Sequence, residues 1–127
     1  MVGKDSSVKV QKGENAMTDH LPSVYVEFTE RYPDIAAAQG ELAKAVRAAT
    51  PFDEKTDVLV KLALAIGGSA EGAVRSNVRK GLEHGLTPDE LMSVSTLAIT
   101  TCGFPTAIAG YQWIREVLAS QSSDSGS

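Results

Sequence analysis

Proline and glycine residues divide the chain between residues 21 and 119 into about six segments, and this division limits the fold more than any other feature. Within the segments, apolar residues recur at helical spacing, as on one face of an α-helix. No run alternates apolar and polar residues in the way typical of a strand. The pattern therefore predicts an all-α fold, an orthogonal bundle of about six helices.

Local signals at the ends of the segments predict where the helices begin and end. Asp53 is typical of an N-cap residue, and Gly85 is typical of a left-handed residue after a helix. Thr87 and Glu90 have the spacing of a capping box, with Pro88 at the first helical position. The predicted helices cover residues 21–32, 33–49, 54–66, 70–84, 88–102 and 105–119.

The chain has 127 residues, which is the length of one domain. We predict a helical domain over residues 21–119 with flexible polar tails at residues 1–20 and 120–127, and Met17 is an alternative start. In the second predicted helix, Ile35, Leu42 and Val46 are expected to face the core. The third predicted helix is apolar on nearly all sides, which predicts a central position or a subunit contact.

Composition and charge exclude several classes of protein. The net charge is -4 and no run of Lys or Arg occurs, so nucleic acid is not an expected partner. The most apolar stretch, residues 58–66, is interrupted by Lys61 and is shorter than the ~20 residues that span a bilayer, so no membrane partner is expected. Residues 1–16 lack the apolar region of a secretory signal, which predicts a cytoplasmic protein. The His and Cys residues show no metal-ligand spacing, so no metal is expected.

A longer pattern runs through the segments. It consists of Asp-Glu-Lys-Thr-Asp-Val-Leu-Val-Lys-Leu-Ala-Leu-Ala-Ile at residues 53–66, a Gly-Ser break, Gly-Leu-Thr-Pro-Asp-Glu-Leu at 85–91 and Gly-Phe-Pro at 103–105. In this order the pattern resembles the carboxymuconolactone decarboxylase family, which includes the alkyl hydroperoxidase D (AhpD-like) proteins, over roughly residues 35–118. The resemblance implies an all-helical fold assembled as trimers or hexamers, with active sites near subunit contacts.

The resemblance also assigns positions to the chemistry of the family. Redox members carry a Cys-x-x-Cys pair, a His four residues beyond the second Cys, and a Glu one helix earlier. The matching positions here are Ala70, Ala73, Asn77 and Val58. All four differ from the redox pattern, so the family's dithiol mechanism is not expected. Decarboxylase members keep a His at the position of Asn77 and an Arg at that of Arg79, and only the Arg is present.

Glu71, Arg75 and Arg79 share one face of the fourth predicted helix, because they follow one another at i,i+4 steps. One interpretation is a solvated ladder of charges, the usual arrangement of such residues. The other is a substrate-binding clamp in which the Arg side chains bind a carboxylate in bidentate fashion. The resemblance at Arg79 favours the clamp modestly, and both interpretations stay open.

Asn77 lies on the same stripe as Ala70 and Ala73, so it is expected to face any pocket at this helix. A carboxamide can polarise a carbonyl or stabilise an oxyanion, but it cannot move protons near neutral pH. Lys61, which forms an i,i+4 pair with Asp57, is a candidate catalytic acid or base if it is buried against the apolar rest of its helix. Otherwise this pair lies on the surface.

Two further residues have a structural and a functional interpretation. Cys102, the single cysteine, is expected to be a small buried hydrophobe near the end of a helix rather than a reactive thiol. A pair of Cys102 residues from two subunits is the alternative. His84, next to Gly85, is expected to interact with the dipole at a helix end rather than to act in catalysis.

Three functions follow from these residues and from the resemblance. The first is a cofactor-free enzyme, such as a decarboxylase-like lyase, that acts on a small carboxylate or lactone through Asn77, Arg79 and Lys61. The second is a non-catalytic homo-oligomer that binds a ligand or serves as a scaffold. The third is a peroxidase like the redox members, which Ala70 and Ala73 disfavour.

Overall fold

The computed structural model describes residues 23–126, with side chains described as far as residue 122. The described residues form six α-helices and no strand, which confirms the predicted all-α fold. The helices are α1 (Ser23–Arg31), α2 (Pro33–Ala49), α3 (Glu54–Gly67), α4 (Glu71–Glu83), α5 (Pro88–Cys102) and α6 (Phe104–Gly126). The predicted tail at residues 1–20 and the alternative start at Met17 lie outside the described residues.

The helices belong to two compact units. Within the described residues, the first unit covers residues 23–51 with α1 and α2, and the second covers residues 52–126 with α3 to α6. The predicted single domain over residues 21–119 stays a prediction. In the second unit, α5 and α6 have the most extensive contact, and α4 packs on both α3 and α6.

The predicted helix ends of the second unit are confirmed at three places. The Asp53 carboxylate accepts a hydrogen bond from the Thr56 N–H at 2.8 Å, as an N-cap does. Thr87 and Glu90 form the capping box, with reciprocal hydrogen bonds of 2.8 and 3.0 Å between side chain and backbone. Gly85 follows α4 with a φ of 90°, a conformation that suits a residue without Cβ.

The end of α3 and the start of α4 each lie one residue later than predicted. The turn after α3 places Ser69, rather than a glycine, in the left-handed region with a φ of 53°. Its N–H donates to the Ile66 carbonyl at 3.0 Å, and the next N–H, that of Ala70, donates to the Ala65 carbonyl at 2.9 Å. This pair of hydrogen bonds is a Schellman motif, and it fixes Ser69 as the left-handed residue.

The last helix is longer than predicted at both ends. It begins at Phe104, so that Pro105 occupies a first-turn position where its missing N–H costs nothing. It continues to Gly126, beyond the predicted end at about Ala119. The prediction of a flexible tail over residues 120–127 is not tested further, because side chains beyond residue 122 are not described.

The core lies in the second unit and is built from one face of each of its helices. The buried apolar residues are Val58, Leu62, Ala65, Ile66, Val74, Val78, Leu86, Leu91, Val94, Ala98, Ala107, Ile114 and Val117. Trp113 is partly buried and packs against this core. Helix α3 supplies four of the buried residues but leaves Val60 and Leu64 exposed, so it is buried on one side only.

The first unit has no buried residue in either helix. The Tyr32 N–H donates to the Phe28 carbonyl, and the Tyr32 carbonyl accepts from Ala36, so α1 leads into α2 through a bend at Tyr32 and Pro33. The prediction that Ile35, Leu42 and Val46 face the core is wrong for the single chain. All three are more than half exposed, because the unit has too few elements to cover its own apolar face.

No helix within residues 23–126 is both long enough and apolar enough to cross a membrane.

Candidate functional site

Helix α4 carries most of the residues that the sequence singles out. Its N-cap is Ala70, which has no side-chain oxygen to cap the first N–H groups. Ala70 and Ala73 are exposed in the single chain, whereas Asn77, farther along the same stripe, is buried. The predicted stripe therefore runs from an exposed helix start into the core.

Asn77 is a buried polar residue with one unmet hydrogen-bonding atom. Its side chain is only 8% exposed, and its Nδ2 donates to the carbonyl of Ala73, one turn earlier, at 2.9 Å. Its Oδ1 is buried without a hydrogen-bond partner. A buried acceptor of this kind costs about 1–3 kcal/mol relative to a satisfied one. The oxygen of the Asn77 carboxamide is thus the atom that lacks a hydrogen-bond partner.

Val58 of α3 lies beside this part of α4. A Cβ added at Gly81, one turn beyond Asn77, would be 3.4 Å from the Val58 Cγ1 atom. Val58 is 4% exposed. Val58, which stands at the position of the Glu in redox members, therefore lies in the core next to α4. Its side chain is apolar.

Arg75 contacts two carboxylates, one on its own helix α4 and one on α6. Its Nε and Nη2 atoms each lie 3.0 Å from Glu71 Oε2, and its Nη2 lies 2.6 Å from Oε1 of Glu116 on α6. The other oxygen of Glu116, Oε2, accepts a hydrogen bond from Gln112 at 2.9 Å. We call these four residues, Glu71, Arg75, Gln112 and Glu116, the α4–α6 clasp.

The hydrogen bonds and charges of the clasp shift two pKa values. The hydrogen bond from Gln112 lowers the pKa of Glu116 most, and the hydrogen bond from Arg75 lowers it further. The hydrogen bond to Glu116 is the main cause that raises the pKa of Arg75, with Glu71 adding to it. Two carboxylates thus neutralise the Arg75 guanidinium, which leaves it poorly suited to bind a further anion unless Glu116 is displaced.

The other predicted cations lie in different surroundings. Arg79, one turn beyond Arg75, is partly buried. Lys61 forms the predicted i,i+4 pair with Asp57, with its Nζ 3.2 Å from Oδ2. The Lys61 side chain is 46% exposed, so its ammonium remains in contact with water. The burial that would make Lys61 a catalytic base is absent in the single chain.

Cys102 and His84 differ from their predicted roles in part. Cys102 is the last residue of α5, as predicted, but its prediction as a buried residue is wrong, because it is exposed. Its Sγ lies 3.5 Å from the position of a Cβ on Gly67, at the end of α3. His84 is the C-cap residue of α4, and its Nδ1 also lies 3.1 Å from Glu54 Oε1 at the start of α3.

A separate apolar depression lies between α5 and α6. It is lined by Ser95, Thr96, Ile99, Ala107, Ile108 and Tyr111. The buried Ser95 hydroxyl donates to its own helix, to the Met92 carbonyl at 2.7 Å. None of the residues predicted for catalysis or substrate binding lines this depression.

No pattern in the sequence of α4 reveals the α6 half of the clasp. Glu116 is 41 positions from Arg75, so no local pattern on α4 points to it. The i,i+4 spacing of Gln112 and Glu116 was the available signal, since it places both on one face of α6. Glu54 was missed as the partner of His84 for the same reason.

No three His, Cys, Asp or Glu side chains in the part of the chain that the structure describes are arranged to hold a metal ion.

Comparison with known proteins agrees with the helical pattern. The sequence profile described as the carboxymuconolactone decarboxylase family matches residues 33–116. An uncharacterised protein of Methanocaldococcus jannaschii is 29% identical over 106 residues, which are 83% of this chain and 99% of that protein. The crystal structure of an apo carboxymuconolactone decarboxylase family protein from Legionella pneumophila has a TM-score of 0.65 and 21% identity, covering 81% of this chain and 95% of that one.

At this level of identity the Legionella structure bears on the fold alone, and its fold agrees with the one described above. The family profile extends from the start of α2 into α6, and it confirms the resemblance found in the sequence. The family profile matches more than half of the chain's residues, and the chain therefore belongs to the carboxymuconolactone decarboxylase family.

Proposed function

We propose that the chain is a non-redox member of its family that acts on a small carboxylate or lactone without a cofactor. In this proposal the ligand binds beside α4, where Asn77 orients it and Arg79 attracts its carboxylate. Ala70 and Ala73 replace the thiols that dithiol chemistry requires.

The observation that carries the proposal is the unpartnered oxygen of Asn77. An apolar residue would fill the same space without the cost of an unmet acceptor. A ligand that carries a hydroxyl or N–H group would satisfy Oδ1, which gives the residue a use in the bound state. We assign Asn77 the role of an acceptor, because Oδ1 is the atom of its carboxamide that has no hydrogen-bond partner.

The ligand class follows from the cation on the next turn. Arg79 is partly buried, and a guanidinium in such a place binds a carboxylate in bidentate fashion. Arg75 already has two carboxylate partners, Glu71 and Glu116. A small hydroxy acid combines the donor for Asn77 with the anion for Arg79, and a lactone does so when it keeps a further hydroxyl and a further carboxylate.

The first experiment measures binding and turnover with the full chain treated with a chelator. A panel of small hydroxy acids and their lactones is titrated by calorimetry, and product formation is followed by NMR. We expect at least one compound to bind and to be converted, with the same rate before and after chelation. A rate that disappears with the chelator and returns with a metal would contradict the cofactor-free mechanism.

The second experiment locates the site with Asn77→Leu. We expect binding to weaken by about tenfold, or ~1.4 kcal/mol, because the ligand loses its acceptor. The control is Ser95→Ala, which removes another buried polar group and lies in the depression between α5 and α6. If Ser95→Ala weakens binding and Asn77→Leu does not, the ligand binds in the depression and the proposed site is wrong.

Arg79→Gln and Arg115→Gln remove the same charge from α4 and α6, respectively. We expect only Arg79→Gln to weaken carboxylate binding. Equal effects of the two variants would mean that Arg79 acts through net charge alone and not through contact with the ligand.

A non-catalytic, oligomeric ligand-binding module is the second candidate. The neutralised guanidinium of Arg75 favours it, because an anion-binding enzyme would be expected to keep this guanidinium available. Ligand binding without any conversion in the NMR experiment is the result that distinguishes this module from the enzyme.

A peroxidase is the third function, and the exposure of Cys102 makes it worth testing. Oxidation of this thiol would leave a sulfenic acid with no second cysteine in the chain to resolve it. We expect no sustained reduction of peroxide. A rate that survives Cys102→Ser would contradict the argument from residues, and a rate lost on this replacement would implicate Cys102.

A further inference from the structure

The Arg75 guanidinium contacts its two carboxylates in different ways. Glu71 places one oxygen, Oε2, 3.0 Å from both Nε and Nη2. Glu116 reaches Nη2 alone, through Oε1 at 2.6 Å. A guanidinium binds a carboxylate best when two of its nitrogens face two oxygens in parallel, whereas the Glu116 contact has one of each. The contact between α4 and α6 is therefore short but monodentate.

A second partner holds the other oxygen of Glu116. Gln112, one turn earlier on α6, donates to Oε2 at 2.9 Å. Both hydrogen bonds lower the pKa of Glu116, and the one from Gln112 has a larger effect than the one from Arg75. The Glu116 side chain is also 42% exposed, so water reaches its carboxylate. Glu116 thus keeps its main stabilising partner and its hydration when it leaves Arg75.

Release of Glu116 changes what Arg75 can bind. The Arg75 side chain is 27% exposed, so much of the water that weakens ion pairs in open solvent is excluded from it. Glu71 lies on α4 itself, and its contact with Arg75 does not depend on α6. An external carboxylate that takes the place of Glu116 has both oxygens available for the guanidinium, because neither oxygen is held by Gln112.

We propose that Glu116 is a built-in competitor for the carboxylate of the ligand, and that the ligand binds Arg75 by displacing it. The inference deepens the proposed function and rests on its claim that α4 binds a small carboxylate. It adds Arg75 to Arg79 as a contact of that carboxylate. Glu116 then determines specificity, because an anion must bind Arg75 better than a monodentate carboxylate does in order to replace it.

The first experiment follows Arg75 and Glu116 directly in the full chain at neutral pH, with glycolate as the probe. Glycolate is a minimal hydroxy acid, and glycolamide has nearly the same size without the charge. We expect glycolate to shift the NMR signals of the Arg75 Nε atom and of the Glu116 carboxyl carbon along one binding curve, and glycolamide to shift neither. Glycolate binding that leaves both signals in place would overturn the inference.

The second experiment removes the competitor with Glu116→Gln. We expect this variant to bind glycolate about fivefold more tightly, the upper end of the range for an exposed ion pair. Asp89→Asn, at the exposed start of α5, removes the same charge and should change the affinity by less than about twofold, because salt screens distant charges. An unchanged affinity in Glu116→Gln, or an equal gain in Asp89→Asn, would contradict the competitor role. Circular dichroism verifies that both variants remain helical.

The same probe separates this inference from the proposed function. If Asn77→Leu binds glycolate as the native chain does and the Arg75 signal still shifts, the exchange at Arg75 stands and the proposed site at Asn77 is wrong. If Asn77→Leu weakens binding but the Arg75 signal of the native chain does not shift, the proposed site stands and the competitor role of Glu116 is wrong.

Discussion

Ser69 has a left-handed backbone conformation, although the two residues before it are glycines that would adopt this conformation more easily. Gly67 and Gly68 directly precede it, yet neither has a positive φ, and the left-handed position falls on the serine. The Schellman hydrogen bonds at the end of α3 decide this, because their position relative to the helix fixes which residue is left-handed, whatever its type. The sequence predicts a break here correctly but cannot reveal which residue is left-handed.

Ser69→Gly should therefore stabilise the protein. The left-handed conformation costs a non-glycine residue roughly 1–2 kcal/mol. Glycine avoids this cost, but it loses more conformational entropy on folding, which offsets part of the gain. We expect a gain of about 0.5–1 kcal/mol in the free energy of unfolding, measured by urea denaturation. Ser76→Gly, within α4, is the control and should lower stability, since glycine is unfavourable in a helix. A loss of stability in both variants would show that Ser69 is not strained.

At the candidate site, the sequence predicts which residues share a face of α4 but not what each side chain contacts. The positions of Ala70, Ala73 and Asn77 on one stripe follow from helical periodicity. That the Asn77 carboxamide bonds to its own helix and leaves Oδ1 unmet depends on the packing around it. Such contacts are tertiary, and no spacing in the sequence contains them.

Among the elements, the approach of α6 to α3 depends on Gly110. A Cβ at this position would lie 2.9 Å from both Cγ1 and Cγ2 of Ile66, whose side chain is fully buried. Real Cβ atoms do not come so close to carbon, so the two helices would have to separate.

Gly110→Ala should destabilise the protein by about 1–3 kcal/mol through overpacking. Ile66→Ala in the same chain should recover part of this loss relative to the sum of the two single changes, because it makes room for the new methyl group. Gly72→Ala on α4 is the matched control: its added Cβ meets nothing within 4 Å, so we expect a gain of up to ~1 kcal/mol. Additivity of the two changes at Gly110 and Ile66 in chemical denaturation would argue against direct contact.

The clasp between α4 and α6 makes stability depend on pH. The pKa of Glu116 is lower in the folded protein than in the unfolded chain, so its carboxylate contributes stability above the ordinary glutamate pKa. This contribution is lost as the pH falls through the lower pKa of the folded state.

Glu116→Gln should thus lower stability at neutral pH and make its acid dependence shallower below about pH 4.3, the ordinary pKa of glutamate. Unfolding free energies across this range provide the measurement. Glu41→Gln is the control, since the Glu41 side chain, which pairs with Lys44, is 75% exposed. If the Glu116→Gln curve remains parallel to that of the native chain, then the clasp does not stabilise the fold.

The bounds of the elements follow from the sequence where a local signal exists. Helix α2 begins and ends at the predicted residues, and the capping box before α5 has both predicted hydrogen bonds. The end of α6 lacks such a signal, because serine and glutamine neither continue nor stop a helix strongly. The helix there runs past its predicted end.

For the whole molecule, the sequence predicts the fold class and the family but not how burial is distributed. The apolar stripe of α2 looks like a core face in the sequence, and only the structure reveals that no residue of α1 or α2 is buried. Amphipathic periodicity indicates that a helix has an apolar face that packs against another surface, but it does not identify that surface.

Trp113, which packs against the core of the second unit, is the single tryptophan of the chain. The chain therefore carries one indole fluorophore, which can be excited selectively over its three tyrosines, and it lies in α6. Its emission reports on the unfolding of residues 52–126, whereas circular dichroism also records the loss of α1 and α2. The two signals, followed in the same titration, separate the melting of one unit from that of the other without any label.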